Sequence, residues 1–391
     1  MTRNITVFLI CEAMLASFGG FILPVYVLYF RYFGINLLQI ALLAAVFEAS
    51  VLVFEIPTGL FADRFGRKVS VIIGFFIFAV SGAIFIFYRD FTGFLIGEIL
   101  FGLGEAFISG AAEALAVDSI TSADRESMLK TVFTRRSRVR IVCTALFMMS
   151  AGWVFAQHPE FVFYPVLIGS IGGLCAAFFF EKNPPQGNER QKFFTPIIGM
   201  FRQIRVLTVL RIIFLVSLVA NFSFEGADQY WQVLCSEMFD IDVTYFGVMT
   251  ALGAVLAFIF VGPVVRRFSG NLSMPLLIIL LGGVAISSMP NISDILLPTL
   301  IVIYFICKEL IIPLFSTTIN TVISSEGRAT FLSGYNLTCS IGEVLSGVMV
   351  GYIAAYLGLP VVFVLCGGLL VLFTLVMLVY SQVKPAHVLT K

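Results

Sequence analysis

The sequence predicts an all-α membrane protein of twelve transmembrane helices in two pseudo-symmetric six-helix bundles. Three observations predict it. The first is composition: 59% of the 391 residues are hydrophobic and 12% are charged, against about 25% charged in soluble domains. Mean hydropathy is +1.02. The second is length, because about 20 apolar helical residues cross a hydrocarbon core of about 30 Å. The apolar residues fall in twelve such runs: 5–30, 37–60, 69–88, 92–118, 129–157, 162–181, 207–234, 243–265, 272–290, 295–320, 329–357 and 359–381. The third is repetition. Shifting the first half by 203 residues lays Gly59-Leu-Phe-Ala-Asp-Arg-Phe65 on Gly262-Pro-Val-Val-Arg-Arg-Phe268, and Ser122-Ala-Asp-Arg125 on Ser325-Glu-Gly-Arg328. Loops that agree on one offset point to a duplicated unit of parallel repeats.

Composition also excludes. The seven cysteines (Cys11, Cys143, Cys175, Cys235, Cys307, Cys339 and Cys366) stand singly in apolar runs without CxxC spacing, as small buried apolar residues do. His158 and His387 lie in a loop and in the tail, so neither a histidine metal site nor a cofactor is expected. No serine or cysteine nucleophile motif argues for an enzyme.

The first run contains Glu12 and continues past Phe18-Gly19-Gly20 to Phe30. That is too long for a signal-peptide core and lacks a cleavage site, so it reads as a span. The second and third runs are joined by Gly59-Leu-Phe-Ala-Asp-Arg-Phe-Gly-Arg-Lys68, a tight charged turn at the water interface. Arg64, Arg67 and Lys68 mark its side as cytoplasmic by the positive-inside rule. Of the 24 Lys and Arg residues, Arg31 and Arg89 fall in the opposite loops and Lys308 is mid-span; the other 21 lie on the turn side or in the termini. Both termini are therefore expected in the cytoplasm. The polar stretch around Asn183-Pro184-Pro185 divides the chain into a bundle over 1–181, a linker over 182–206 and a second bundle over 207–391.

Ionisable groups inside a bilayer cost several kcal/mol unless paired or hydrated, so each is a functional candidate. Glu12, Glu48, Glu98, Glu105, Glu113, Glu225, Asp228, Lys308, Glu309 and Glu343 fall within spans, with Arg138 and Arg140 near the inner boundary. Glu98 and Glu105 are seven residues apart on the fourth span, hence on one helical face. Gly102, Gly104 and Gly110 beside them leave room for close helix contact. Glu12, Glu113, Arg138 and Arg140 fall at similar depth. They read either as an ion-pair cluster that holds the first bundle or as groups that bind substrate or gate its inner mouth. In the seventh span, Asn221-Phe-Ser-Phe-Glu225-Gly-Ala-Asp228-Gln-Tyr-Trp231 mixes polar and aromatic groups. It reads as a pocket wall, with Tyr230 and Trp231 equally placed for an interfacial aromatic belt. The repeat offset lays Glu105 on Lys308. Either both face one cavity, or each pairs inside its own bundle, Lys308 with Glu343 or a backbone carbonyl. Arg135-Arg-Ser-Arg138 beside a span reads as an anchor to anionic lipid, not as a nucleic-acid patch.

The turn at Gly59, Asp63, Gly66, Arg67 and Lys68 resembles the loop between helices 2 and 3 of the major facilitator superfamily, Gly-x-x-x-Asp-x-x-Gly-Arg-Arg/Lys. The resemblance covers the whole twelve-span plan. In the second copy Arg266 replaces the Asp and Ser269-Gly270-Asn271 replaces Gly-Arg-Lys, an asymmetry common in that family. The resemblance implies a monomeric secondary transporter whose bundles surround a cavity opening alternately to each side. It makes the turn a conformational switch element and pairs Arg67 with Asp118. It also implies that helices 1, 4, 7 and 10 line the cavity, which puts Glu105, Glu225, Asp228 and Lys308 nearest the substrate. Gly102 and Gly104 resemble the fourth-helix motif of proton-coupled drug antiporters, Arg-x-x-Gln-Gly-x-Gly, but Glu98 stands in the Arg position and Phe101 in the Gln position. The expected function is proton-coupled efflux of a small amphipathic compound across a bacterial inner membrane. The alternatives are uptake of a polar or anionic solute, such as a sugar, organic acid or metal chelate, and a membrane sensor that has lost transport.

Overall fold

The computed structural model describes residues 3–120, 125–181, 208–268, 272–323 and 328–383. Among these, twelve helical stretches are long and apolar enough to cross a membrane. The expected linker over 182–206 lies outside the described residues.

The first span is two helices, α1 (Arg3–Ile22) and α2 (Tyr26–Tyr32), where the sequence suggests one. The break falls at Leu23-Pro24-Val25. Proline has no N–H to donate, and its ring clashes with the carbonyl a turn earlier. Next comes α3 (Leu37–Phe65), started by a reciprocal cap: Gln39 N–H donates to the Asn36 side chain, and Asn36 N–H to the Gln39 side chain. A single residue, Gly66, joins it to α4 (Arg67–Phe87). Then follow α5 (Phe91–Asp118), α6 (Arg125–Gln157) and α7 (Tyr164–Ala177). The second half opens with α8 (Thr208–Asp228). The expected span over 207–234 does not continue straight: the helix stops at Asp228, resumes for a turn at Trp231–Val233 and widens to π-type hydrogen bonding over Leu234–Met238. The rest is α9 (Phe246–Phe268), α10 (Ser273–Ser288), α11 (Leu297–Val322), α12 (Arg328–Tyr356) and α13 (Leu359–Val383).

The helices form two compact units, Met1–Glu189 with Asp242–Ala251, and Arg190–Ile241 with Leu252–Lys391. In the first, α4 packs on α5 and α7, α5 on α3, and α1 on α6 and α7. Lipid tails are as apolar as the side chains, so helix contact in a bilayer depends on close packing. Gly102 and Gly104 supply it. A Cβ at Gly102 would lie 2.8 Å from the Phe47 carbonyl oxygen of α3, and one at Gly104 3.0 Å from the Phe78 ring of α4. Gly110, expected in the same role, faces open space. The segment Asp242–Ala251 joins this unit through equally close backbone contact: a Cβ at Gly152 would meet the Val243 carbonyl oxygen at 2.3 Å. In the second unit α10 packs on α13 and α11, and α8 on α12 and α13.

Candidate functional site

The charged turn is built on Gly66, whose φ of +101° is a conformation L side chains rarely adopt. With α4 starting at the next residue, Arg67 and Lys68 are fixed in its first turn. Arg67 forms an ion pair with Asp118 at the end of α5, the pairing the resemblance implies. Lys68 donates to the Phe178 and Phe180 carbonyl oxygens, at 2.6 and 2.5 Å, just past α7, where carbonyls lack helical partners. The turn thus ties α3 and α4 to the ends of α5 and α7. Asp63 is exposed, and Gly59 has open space where a side chain would stand.

Deeper in the first unit, charged groups on α1, α5 and α6 meet. Glu12, 3% exposed, receives Arg136 on Oε1 at 3.0 Å and Arg140 on Oε2 at 3.0 Å. Arg136 also reaches Glu113 at 2.7 Å and lies 5.5 Å over the Phe8 ring. The sequence-expected set included Arg138; the structure has Arg136 instead. Helical periodicity is the reason: residues 136 and 140 share a face, and 138 lies about 200° around the helix from 136, where Arg138 is exposed. The same face continues to Thr144, against which Gly20 of α1 packs. Glu105 on α5 is half-buried and within electrostatic reach of Arg140, Glu12 and Arg136, without an ion pair among the described residues.

The second unit holds a different arrangement. Lys308 of α11 forms an ion pair with Asp228, the last residue of α8. Tyr304, one turn before Lys308, donates its hydroxyl to Asp228 and lies 3.1 Å from the Phe224 carbonyl oxygen. Lys308 is therefore held inside its own bundle, by Asp228 and not by Glu343. Glu343 of α12 lies in the electrostatic surroundings of Tyr335 and Cys339. Glu225, one turn before Gln229, accepts its amide at 3.2 Å. Tyr230 and Trp231 are 0% and 2% exposed, so they are core residues and not an interfacial belt. Trp231 meets Phe305 edge-on at 5.6 Å. Among the described residues no His, Cys, Asp and Glu group of three or more is placed to hold a metal ion.

Sequence reading missed Arg136 and Tyr304. Both had a signal in the fourth-residue spacing, Arg136 with Arg140 and Tyr304 with Lys308, which puts each pair on one helix face.

Twelve helices long and apolar enough to cross a membrane define an integral membrane protein. The profile of the Major Facilitator Superfamily matches residues 8–342, and the chain belongs to that family. It is 24% identical over 389 residues to the uncharacterized MFS-type transporter YxaM of Bacillus subtilis (strain 168), covering 93% of each chain. It is 22% identical over 358 residues to Multidrug resistance protein 1 of the same organism, covering 89% of this chain and 90% of that one. Among solved structures, the nucleoside transporter NupG superposes with a TM-score of 0.77 at 12% identity, over 97% of this chain and 99% of that chain. That likeness concerns the fold alone.

Proposed function

We propose that this chain exports small amphipathic organic compounds by alternating access, driven by protons, as a monomer in a bacterial inner membrane with both termini in the cytoplasm. The observation that carries the reading is Glu105. It is a half-buried carboxyl in mid-span, set among the Glu12–Arg136–Arg140 charges but without an ion pair among the described residues. A proton arriving at or leaving Glu105 changes the field on groups of α1 and α6 without first breaking a bond, which suits a carrier.

Asp228, Lys308 and Tyr304 provide the substrate-facing counterpart, with Glu225 beside them. The Lys308 side chain is 32% exposed and its partner 17%, so a solute could reach the pair and compete for either charge. Acids outnumber bases in this region of the second unit, Glu225, Asp228 and Glu309 against Lys308, which suits a cationic or neutral amphipath better than an anion. The likeness to a multidrug resistance protein supports the same direction. The turn acts as the switch: Asp63→Asn is expected to slow transport while leaving equilibrium binding within a few fold.

The reading is tested by thermal-shift measurement on purified protein with lipophilic cations, nucleosides, sugars and organic acids, because a ligand of the folded state raises its stability. Stabilisation by the cations, lost in Asp228→Asn, is expected. Stabilisation confined to anionic ligands would favour uptake.

A further inference from the structure

Glu98 is absent from the site described above, yet it is the more isolated of the two acids on its face of α5. It is 1% exposed. Among the described residues its one hydrogen-bond partner is the Tyr26 hydroxyl, at 2.5 Å from Oε1. Glu105, seven residues along α5, has Arg140, Arg136 and Glu12 within electrostatic reach; among the described residues Glu98 has no charged group so placed. The neighbouring Gly97 is closed in by groups that are apolar or already bonded. The Phe85 ring closes on Gly97, where a Cβ would lie 2.9 Å away. The Ser81 hydroxyl is spent on the Gly97 carbonyl oxygen at 2.8 Å.

The other titratable groups on the elements around it are occupied or distant. Tyr29 of α2 donates to the Phe85 carbonyl oxygen at 2.7 Å. Arg89, past the end of α4, donates to the Ile86 carbonyl oxygen at 2.7 Å and stacks over Phe33. Glu48 of α3 makes contacts of its own. A carboxylate buried with a single neutral partner is costly, so structural need alone does not account for an acid here.

Tyr26 supplies the second half of the observation. It opens α2, immediately after the break at Leu23-Pro24-Val25. The Tyr26–Glu98 bond therefore fastens the detached piece of the first span to α5. We propose that Glu98 is a second proton-holding site on the transport pathway, sharing one face of α5 with Glu105 and using the Tyr26 hydroxyl as its relay, so that its protonation state sets how α2 is held. At about 1.5 Å per residue the two carboxyls are roughly 10 Å apart along the helix.

This rests on the proton-coupled reading, so the experiment has two independent arms. In the first, infrared titration of the purified protein follows the carboxylic-acid C=O band with no transport involved. A pH-dependent band that is missing in Glu98→Gln and displaced in Tyr26→Phe is expected; an unchanged titration in Glu98→Gln overturns the proposal. In the second, proteoliposomes carry ethidium as the probe. Glu98→Gln is expected to reduce gradient-driven accumulation to the level of empty vesicles while counterflow persists, and Glu98→Asp to recover part of it. Full gradient-driven accumulation in Glu98→Gln removes Glu98 from the pathway. If native protein fails to respond to the gradient, the proton-coupled reading falls, and the infrared arm still decides whether Glu98 exchanges a proton.

Discussion

The two units solve the same problem, a charge inside a helix bundle, in opposite ways. In the first, Glu12 is gripped by two arginines of α6, and Arg136 is shared with Glu113 of α5, so three helices meet in one balanced network. In the second, Lys308 has one carboxylate partner, Asp228, assisted by one hydroxyl, Tyr304. Burial does not divide them in the same way: in the first cluster Glu12 is 5% exposed but Arg136, Glu113 and Arg140 are 25%, 41% and 51% exposed, against 17% for Asp228 and 32% for Lys308. A network with several bonds per group survives the loss of one contact and holds helices together. A single pair is broken by any ligand or proton that satisfies either member. Under the proposed function the first cluster is scaffold and the second is the pair that exchanges.

The largest expected effect lies in the second unit. Lys308→Ala leaves Asp228 without its cation, and stranding one member of a buried pair costs about 3–5 kcal/mol. The lower end applies here because the pair is partly exposed. Thermal unfolding of Lys308→Ala, Asp228→Ala and the double variant checks it, and the double variant should recover most of the loss while remaining unable to bind ligand. Recovery of binding as well would mean the pair only holds the fold.

The first unit gives the next largest effect. Arg136→Gln removes contacts to Glu12 and Glu113 together and is expected to lower stability by about 2–3 kcal/mol. Arg138→Gln, two residues away on the exposed face, should stay within about 0.5 kcal/mol. Equal effects in chemical denaturation would contradict the network.

That contrast also marks how much was legible in the sequence. Span count and repeat were readable because a bilayer demands long apolar runs and duplication leaves loops in register. The Arg67–Asp118 contact was readable only through the family resemblance, because the turn pattern itself fixes Arg67 and not its partner. Arg136 was overlooked because depth was counted along the chain when the face around the helix decides contact. The Lys308 partner could not be read at all, since Asp228, Glu225 and Glu343 all lie in spans of suitable depth and only packing separates them. The breaks at Pro24 and after Asp228 show a graded signal: a proline announces the first, and no residue announces the second.

The smallest effect concerns the turn. Gly66→Ala forces a side chain onto positive-φ backbone (φ 101°, ψ 137°), at about 1–3 kcal/mol, and should slow transport by disturbing Arg67 and Lys68. Gly59→Ala meets open space and should leave stability unchanged within the first unit. Comparable melting temperatures for the two variants would show that the turn tolerates rearrangement.

Under the proposed function Glu105 carries the proton while Asp228 and Lys308 engage the solute. Its most direct test is proton uptake by proteoliposomes, followed with an internal pH indicator as ethidium is added, for native protein and Glu105→Gln. Substrate-dependent proton movement is expected in native protein. In Glu105→Gln that movement should be absent while ethidium binding is retained. Undiminished proton movement in Glu105→Gln would contradict it.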